Sequence, residues 1–335
     1  MEDPISSPCK PVFVVGMNGS GTSMMQDSLG RHPDLYAMPD ETLMMPYIIM
    51  RADKFGNLAV AENFREYWQF AIDELPALAR FNKGTKPKIP ANWDTFPRTV
   101  EGVFDGIFSG LAANHGKRRW CEKTPDHVQH IPLLASTFPR ARFIHLIRDG
   151  REVARSVNRR QLRTPQLVIY RWKKLVGLGR AEGRKLGARY MELRYEDLTS
   201  NPKQEMARVC AFLEIENSEA VLQSRMPQSP KRKQMTPGEL GAITKNPAKW
   251  GSYFDTSTVG RLEAIGGRTL SDLGYPVSDA AGDSDPGHLT RRWWRLTDFS
   301  RITLKRIKTR SSYRSWRSLS RKIYFSFKQY GTKKF

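Results

Sequence analysis

An α/β fold, with a parallel β-sheet flanked by helices, is what this 335-residue sequence predicts. Three observations carry that expectation. Stretches that read as strands recur at "VFVV" (12–15), "ARFIHLI" (141–147) and "ARYMELRY" (188–195), the first of them an unbroken apolar run. A segment with helix-start chemistry follows each stretch, and alternating strands and helices form parallel sheets covered on both faces. The first run also leads straight into a glycine-rich stretch, "GMNGSGTS" (16–23).

Taken in order, Val12–Val15 reads as a buried strand, 16–21 as a loop and Thr22–Gly30 as a helix. Residues 58–81, with Phe64, Trp68 and Phe70, and residues 99–113 carry apolar side chains at helical spacing. "DGREVARSVNRR" (149–160) begins a helix after the second strand. After the third, Asn201 and Pro202 make a cap and first-turn pair for "SNPKQEMARVCAFL" (200–213). "VSDAAGDSDPGH" (277–288) is small and polar with Gly and Pro, which marks a linker. The expected organisation is a domain over 1–276, a linker over 277–290 and an extension over 291–335. No internal repeat interrupts it.

Hydrophobic residues at 39% and charged residues at 27% suit a soluble globular chain. No apolar run approaches the roughly 20 residues of a transmembrane helix. The opening "MEDPISSPCKP" lacks a signal-peptide pattern. Cys9, Cys121 and Cys210 are too scattered for a disulfide framework or zinc cluster. A cytoplasmic location is the expectation.

Net charge is +21 and unevenly placed. Residues 291–335 hold 15 Lys and Arg against one acid, Asp298, so this extension carries +14 and the other 290 residues +7. Such a chain concentrates anions around it. From Tyr313 to Tyr330, 100° steps put Tyr313, Trp316, Leu319, Ile323, Phe327 and Tyr330 on one helical face. Arg314, Arg317, Arg321, Lys322 and Lys328 fall opposite. That pattern suits an interfacial helix on an anionic membrane surface, so peripheral membrane contact through 313–330 is expected. Docking on its own domain, oligomerisation and binding an acidic glycan are the other readings; no oligomeric state is indicated. Nucleic acid is disfavoured, because no helix-turn-helix, zinc-finger or RNA-recognition signature occurs.

Gly16, Gly21 and Ser23 fall where a phosphate loop of the form G-x-x-x-x-G-K-[ST] has them, but Thr22 replaces the lysine. Gly19 and Gly21 permit positive φ, Ser20, Thr22 and Ser23 offer hydroxyl donors, and a helix N-terminus favours an anion. Without the lysine, a ligand whose transferred group is not a γ-phosphate fits better. Downstream, "FIHLIRDGREVARSV" (143–157) ends a strand at Arg148 and carries Ser156 on the next helix, a forked cation and a hydroxyl suited to phosphate. "CEKTPDH" (121–127) contains Lys123, and "HPDLYAMPDET" (32–42) contains Asp40 and Glu41.

These elements, in this order from Pro11 to about Pro276, resemble the sulfotransferases that use 3′-phosphoadenosine 5′-phosphosulfate (PAPS), with a motif pattern nearest the bacterial, glycan and tyrosylprotein types. The resemblance implies a fold related to the P-loop kinases. It implies that Gly19, Ser20, Gly21, Thr22 and Ser23 hold the 5′-phosphosulfate, and that Arg148 and Ser156 hold the 3′-phosphate. It puts Lys123 beside the oxygen bridging sulfur and phosphorus, where charge builds as the S–O bond breaks. Glu41 then removes the proton of an acceptor hydroxyl, with Asp40 as the other candidate base. Tyr195, in "LRYEDLTSNP", matches a cofactor-contacting tyrosine, and Lys249, in "KNPAKWGSYF", a lysine closing over the phosphates; Trp250 reads as packing. One departure stands out: many relatives have Arg or Lys where this chain has Gly19.

The implied reaction gives a sulfated acceptor and adenosine 3′,5′-bisphosphate. Glycan, lipid-linked, peptide and small-molecule hydroxyls all remain open as acceptors. No metal is expected, since His127 and His130 lack a third and fourth ligand. Two rival readings stand beside this one. A P-loop small-metabolite kinase would need a loop lysine and a magnesium carboxylate. A non-catalytic basic adaptor would bind lipid or glycan through its extension.

Overall fold

The computed structural model describes residues 10–75, 78, 87–224, 241–279 and 281–308. The proposed interfacial helix at 313–330 and Cys9 lie outside the described residues. The chain runs β1 (Val12–Gly16), α1 (Thr22–Leu29), β2 (Leu35–Ala37), α2 (Met45–Ile49), α3 (Ala61–Glu74), α4 (Val100–Ala113), β3 (Arg119–Lys123) and α5 (Ile131–Thr137). It continues through β4 (Arg142–Ile147), α6 (Gly150–Gln161), α7 (Pro165–Arg184), β5 (Tyr190–Arg194), α8 (Tyr195–Ser200) and α9 (Pro202–Leu213). A small antiparallel pair, β6 (Gln223–Ser224) and β7 (Gly241–Ala242), precedes α10 (Trp250–Tyr253), α11 (Thr256–Asp272) and α12 (His288–Lys308).

The five main strands form one parallel sheet in the order β2-β3-β1-β4-β5. Successive side chains leave a strand on opposite faces, and the two faces have separate cores. Phe13 and Val15 of β1 join Trp120 and Phe143 under α3, α4 and α7; Phe13 stacks on Phe143 at 5.2 Å and meets Trp120 edge-on at 5.7 Å. Val12 and Val14 join Cys121, Ile144 and Leu146 against α1 and α9. Covering both faces lets the strands read as continuous apolar runs. The doubly covered parallel sheet predicted from the sequence is therefore present.

Some boundaries differ. The helix expected over 58–81 is described as Ala61–Glu74. Leu75 leaves helical geometry at φ −98° and ψ 86°, and Pro76 follows it in sequence, which disfavours helix at the preceding residue. Tyr195, expected at a strand end, is the first residue of α8. Ser278, Gly282 and Ser284, placed in a linker, lie against α11: Ser278 donates through its N–H (3.1 Å) and hydroxyl (2.6 Å) to Glu263. The N–H groups of Gly282 and Ser284 donate to the carbonyls of Glu263 and Ala264. Asp283 and Asp285 hold the Lys173 ammonium at 3.0 and 2.6 Å.

What this topology positions is one edge. β1 lies at the centre; the chain leaves it toward β2, returns through β3, then crosses to β4 and β5 on the other side. The carboxyl ends of β1, β3, β4 and β5 open together at that reversal, the place where parallel α/β sheets bind ligands.

Candidate functional site

The loop after β1 is built around two left-handed glycines, Gly19 (φ 101°) and Gly21 (φ 102°). Gly21 is fixed twice over, since a Cβ there would sit 2.4 Å from the Tyr195 ring. The Ser20 hydroxyl turns into the loop and donates to the Met17 carbonyl at 2.7 Å. Thr22 is buried and Ser23 exposed. No side chain caps α1, although the Met24 N–H already donates to the Gly21 carbonyl at 2.9 Å; the positive end of the helix favours an anion there.

Arg148, leaving β4, is nearly buried; one guanidinium nitrogen donates to the Gly19 carbonyl at 3.0 Å and another meets Glu152 at 3.3 Å. Its guanidinium lies 4.0 Å from the Tyr195 ring centre, and its Nε is buried with no partner. Trp172 fixes the strand end by donating its indole N–H to the Arg148 carbonyl at 3.0 Å. The next arginine, Arg151, is structural: it is buried between Asp149 at 2.7 Å and Glu263 at 2.5 Å, with Trp250 stacked 4.0 Å away. Ser156 lies one wall away, its hydroxyl 3.6 Å from the position a Gly19 Cβ would take.

At the end of β3, Lys123 donates to the Glu41 carboxylate at 2.8 Å; the lysine is almost buried and the glutamate partly open. Asp40 instead accepts the Glu41 N–H at 2.8 Å, so its carboxylate is turned back on its own backbone. Between these residues sits Glu122, fully buried. It accepts from the Thr42 hydroxyl (2.8 Å), the Thr42 N–H (3.3 Å) and the Thr124 hydroxyl (2.5 Å), and its other oxygen faces His127 Nδ1 at 3.1 Å. Burial pushes the Glu122 carboxyl up, but the His127 charge and the bonds from His127, Thr124 and Thr42 outweigh it and hold it below the usual range. Because Thr42 and Thr124 adjoin Glu41 and Lys123, this carboxylate clamps the two loops that carry the ion pair.

The segment 245–253 closes over the same edge. Asn246 donates to the Tyr195 hydroxyl at 2.9 Å, and the Lys249 N–H donates to Glu152 at 2.9 Å, while the Lys249 side chain is exposed. The structure thus gathers Gly19–Ser23, Arg148, Ser156 and Tyr195 around the loop, brings Lys249 alongside through Glu152, and sets Glu41 with Lys123 at the neighbouring strand end.

Sequence reasoning missed Arg160. Its guanidinium comes within 3.5 Å of the point where a Gly19 Cβ would project, next to Ser156. Partial loss of solvent, then the charges of Arg148, Arg159 and Arg155, pull its pKa below the usual arginine value, although its side chain keeps an open side. A cation therefore stands where the loop has none. The i, i+4 spacing from Ser156 is the signal that could have found it. Glu122, Glu152 and Asn246 were missed too, and only tertiary structure reveals their partners.

Comparison with known proteins bears on this geometry. A family model described as "Sulfotransferase family" matches residues 11–219. A Caenorhabditis briggsae protein provisionally named a protein-tyrosine sulfotransferase is 22% identical over 81% of this chain and 91% of its own length. Protein-tyrosine sulfotransferase A of Caenorhabditis elegans is 23% identical over 63% of this chain; the chain spans about half of that relative, 51%. Among solved structures, the sulfotransferase domain of the Synechococcus PCC 7002 olefin synthase superposes with a TM-score of 0.54. It is 21% identical and covers 80% of this chain and 96% of its own, a likeness of fold.

Proposed function

The chain belongs to the sulfotransferase family, and from that premise we propose that it moves a sulfuryl group from PAPS to an acceptor hydroxyl with Glu41 and Lys123 as its reacting pair. The Lys123–Glu41 ion pair carries this reading. It joins a base and a cation at the end of β3, whose register pairs Lys123 with Val14, two residues before the lysine-free loop. A kinase would instead need its cation in the loop.

The residues present fit a doubly anionic nucleotide: two left-handed glycines before an uncapped helix, a buried Arg148 Nε without a partner, and Arg160 beside Ser156. The N–H groups and hydroxyls of Gly19–Ser23 would hold the 5′ end, with Lys249 above. Arg148 and Ser156 would hold the 3′-phosphate, with Tyr195 beneath the guanidinium. When bound, PAPS supplies the sulfuryl group and a bisphosphate leaving group. Glu41 would accept the proton of an acceptor hydroxyl placed beside it, and the Lys123 ammonium would stand ready to stabilise negative charge developing on the departing phosphate oxygen. Asp40, held by its own backbone, takes no part. The names of the relatives make a peptide tyrosine the first acceptor to assay.

A thermal-shift comparison tests the donor half. Adenosine 3′,5′-bisphosphate raises the melting temperature of the full chain, Arg148→Ala loses most of that rise, and ATP with magnesium gives little. Stabilisation by ATP–magnesium alone would point to the kinase reading and end this one.

A further inference from the structure

Helix α12 has one side committed and one side bare. Inward, Asp298 is fully buried and accepts the N–H and hydroxyl of Thr164 at 2.8 and 2.7 Å. Trp294 packs on the core and the Arg291 guanidinium lies 5.0 Å from the Tyr170 ring centre. Outward, Leu289, Trp293, Leu296 and Phe299 are 80%, 62%, 60% and 66% exposed. At 100° per residue they share one stripe, and ten steps from Leu289 to Phe299 at about 1.5 Å each make it about 15 Å long. Exposed Arg292 lies within the stripe, with exposed Arg295 on its flank. A row of this kind marks an interaction surface.

Charge decides what covers it. Residues 288–308 hold seven Lys and Arg against Asp298, and 309–335 add eight more with no acid. Folding the remaining chain back over α12 would set cation on cation, and a second copy would bring a second +14 to the first. Like charges brought together oppose both arrangements. The occupant must be anionic. It must also accept four large apolar side chains, which a nucleic-acid backbone does not. A bilayer with anionic headgroups meets both demands, since its interface takes Trp, Leu and Phe below the level at which arginines meet phosphate.

We propose that α12 is an interfacial helix that seats this protein on an anionic lipid surface through Leu289, Trp293, Leu296 and Phe299, with Arg292 and Arg295 on the headgroups. None of the described helices is long and apolar enough to cross a membrane, so the contact lies in the plane of the interface. Because Asp298 ties α12 to Thr164, just beyond α6, the whole sheet is held at that surface rather than tethered to it. The proposal does not rest on the nucleotide site.

Sedimentation with vesicles tests it. The full chain pellets with phosphatidylcholine–phosphatidylglycerol (3:1) vesicles and stays in solution with phosphatidylcholine alone. The triple variant Trp293→Ser, Leu296→Ser, Phe299→Ser binds the anionic vesicles at least tenfold more weakly at an unchanged melting temperature. Should the triple variant misfold, Leu296→Ser alone gives the same comparison with an effect of about threefold. Three results overturn the proposal: wild type ignoring the anionic vesicles, apolar variants binding as well as wild type, or a concentration-dependent dimer that the triple variant abolishes while neither protein binds vesicles. Tighter binding to duplex DNA than to vesicles, also lost in the triple variant, would overturn it as well.

Discussion

Replacing Glu122 by alanine removes the acceptor on which two loops depend. Three buried donors lose their partner: the hydroxyls of Thr42 and Thr124 and the His127 ring nitrogen. The Thr42 N–H keeps an acceptor, the Thr124 hydroxyl oxygen at 3.0 Å. At about 1–1.5 kcal/mol for each unmet donor, the loss is about 3–5 kcal/mol, the range for breaking a buried charged network. For a domain of this size that lowers the melting temperature by roughly 10 °C. Thr42 and Thr124 also set where Glu41 and Lys123, the proposed reacting pair, stand, and a displacement near 1 Å at reacting groups costs about 100-fold in rate. The nucleotide loop is untouched, so kcat falls while KM for the nucleotide holds. Glu122→Gln keeps an oxygen for the threonines and recovers most of both losses. The stabilisation has a sign in pH: the folded carboxyl lies below its ordinary value of 4.5, so its contribution is complete above pH 4.5 and drains as pH falls through the folded value. Calorimetry and single-turnover transfer of labelled sulfuryl group read the two effects. A glutamine variant as damaged as the alanine variant, or an alanine variant with unchanged kcat, would refute the clamp.

Other outcomes can be checked beside it. Glu41→Gln lowers kcat by about 10²–10⁴ and Lys123→Met by about 10²–10³, with nucleotide affinity kept; a larger loss from Asp40→Asn would move the base to Asp40. Gly21→Ala puts a side chain at φ 102° and 2.4 Å from the Tyr195 ring, so calorimetric titration finds nucleotide binding at least tenfold weaker, with stability lower by about 1–3 kcal/mol; wild-type affinity would show that the loop tolerates a Cβ. His145 is held neutral, its pKa driven down to about 3 by burial and then by the Arg180 charge. Only the unfolded imidazole gains a proton between pH 6.5 and 5, which removes about 2 kcal/mol of stability by pH 5. His145→Phe flattens the melting-temperature slope over that window, whatever its absolute stability, and an unchanged slope would place the proton elsewhere.

Legibility in the sequence followed locality. Val12–Val15 and 141–147 announced β1 and β4 because strands covered on both faces are apolar without interruption. β2 has only three residues, and β3 carries Arg119, Glu122 and Lys123, charges that suggest solvent although the last two are buried. The loop, Arg148, Ser156, Lys123 and the Glu41 segment could be picked out as candidates because each sits in a short stretch of fixed spacing, and the structure places them at one edge of the sheet. Residues whose partner is remote in sequence were not: Asn246 meets Tyr195 across 51 residues, and Glu122 meets Thr42 across 80. Composition misled at 277–290, where Asp283 and Asp285 look like linker chemistry until Lys173 is found beneath them.

The strand order has a consequence for how the molecule is made. Val12 pairs with Cys121 on one side and Arg142 on the other, so the central strand emerges from the ribosome more than a hundred residues before either neighbour. Until then it is an unpaired apolar edge, and pairing over such separations is slow. A nascent chain halted before Arg119 would have no sheet to join, and chaperone demand should peak in that interval of synthesis.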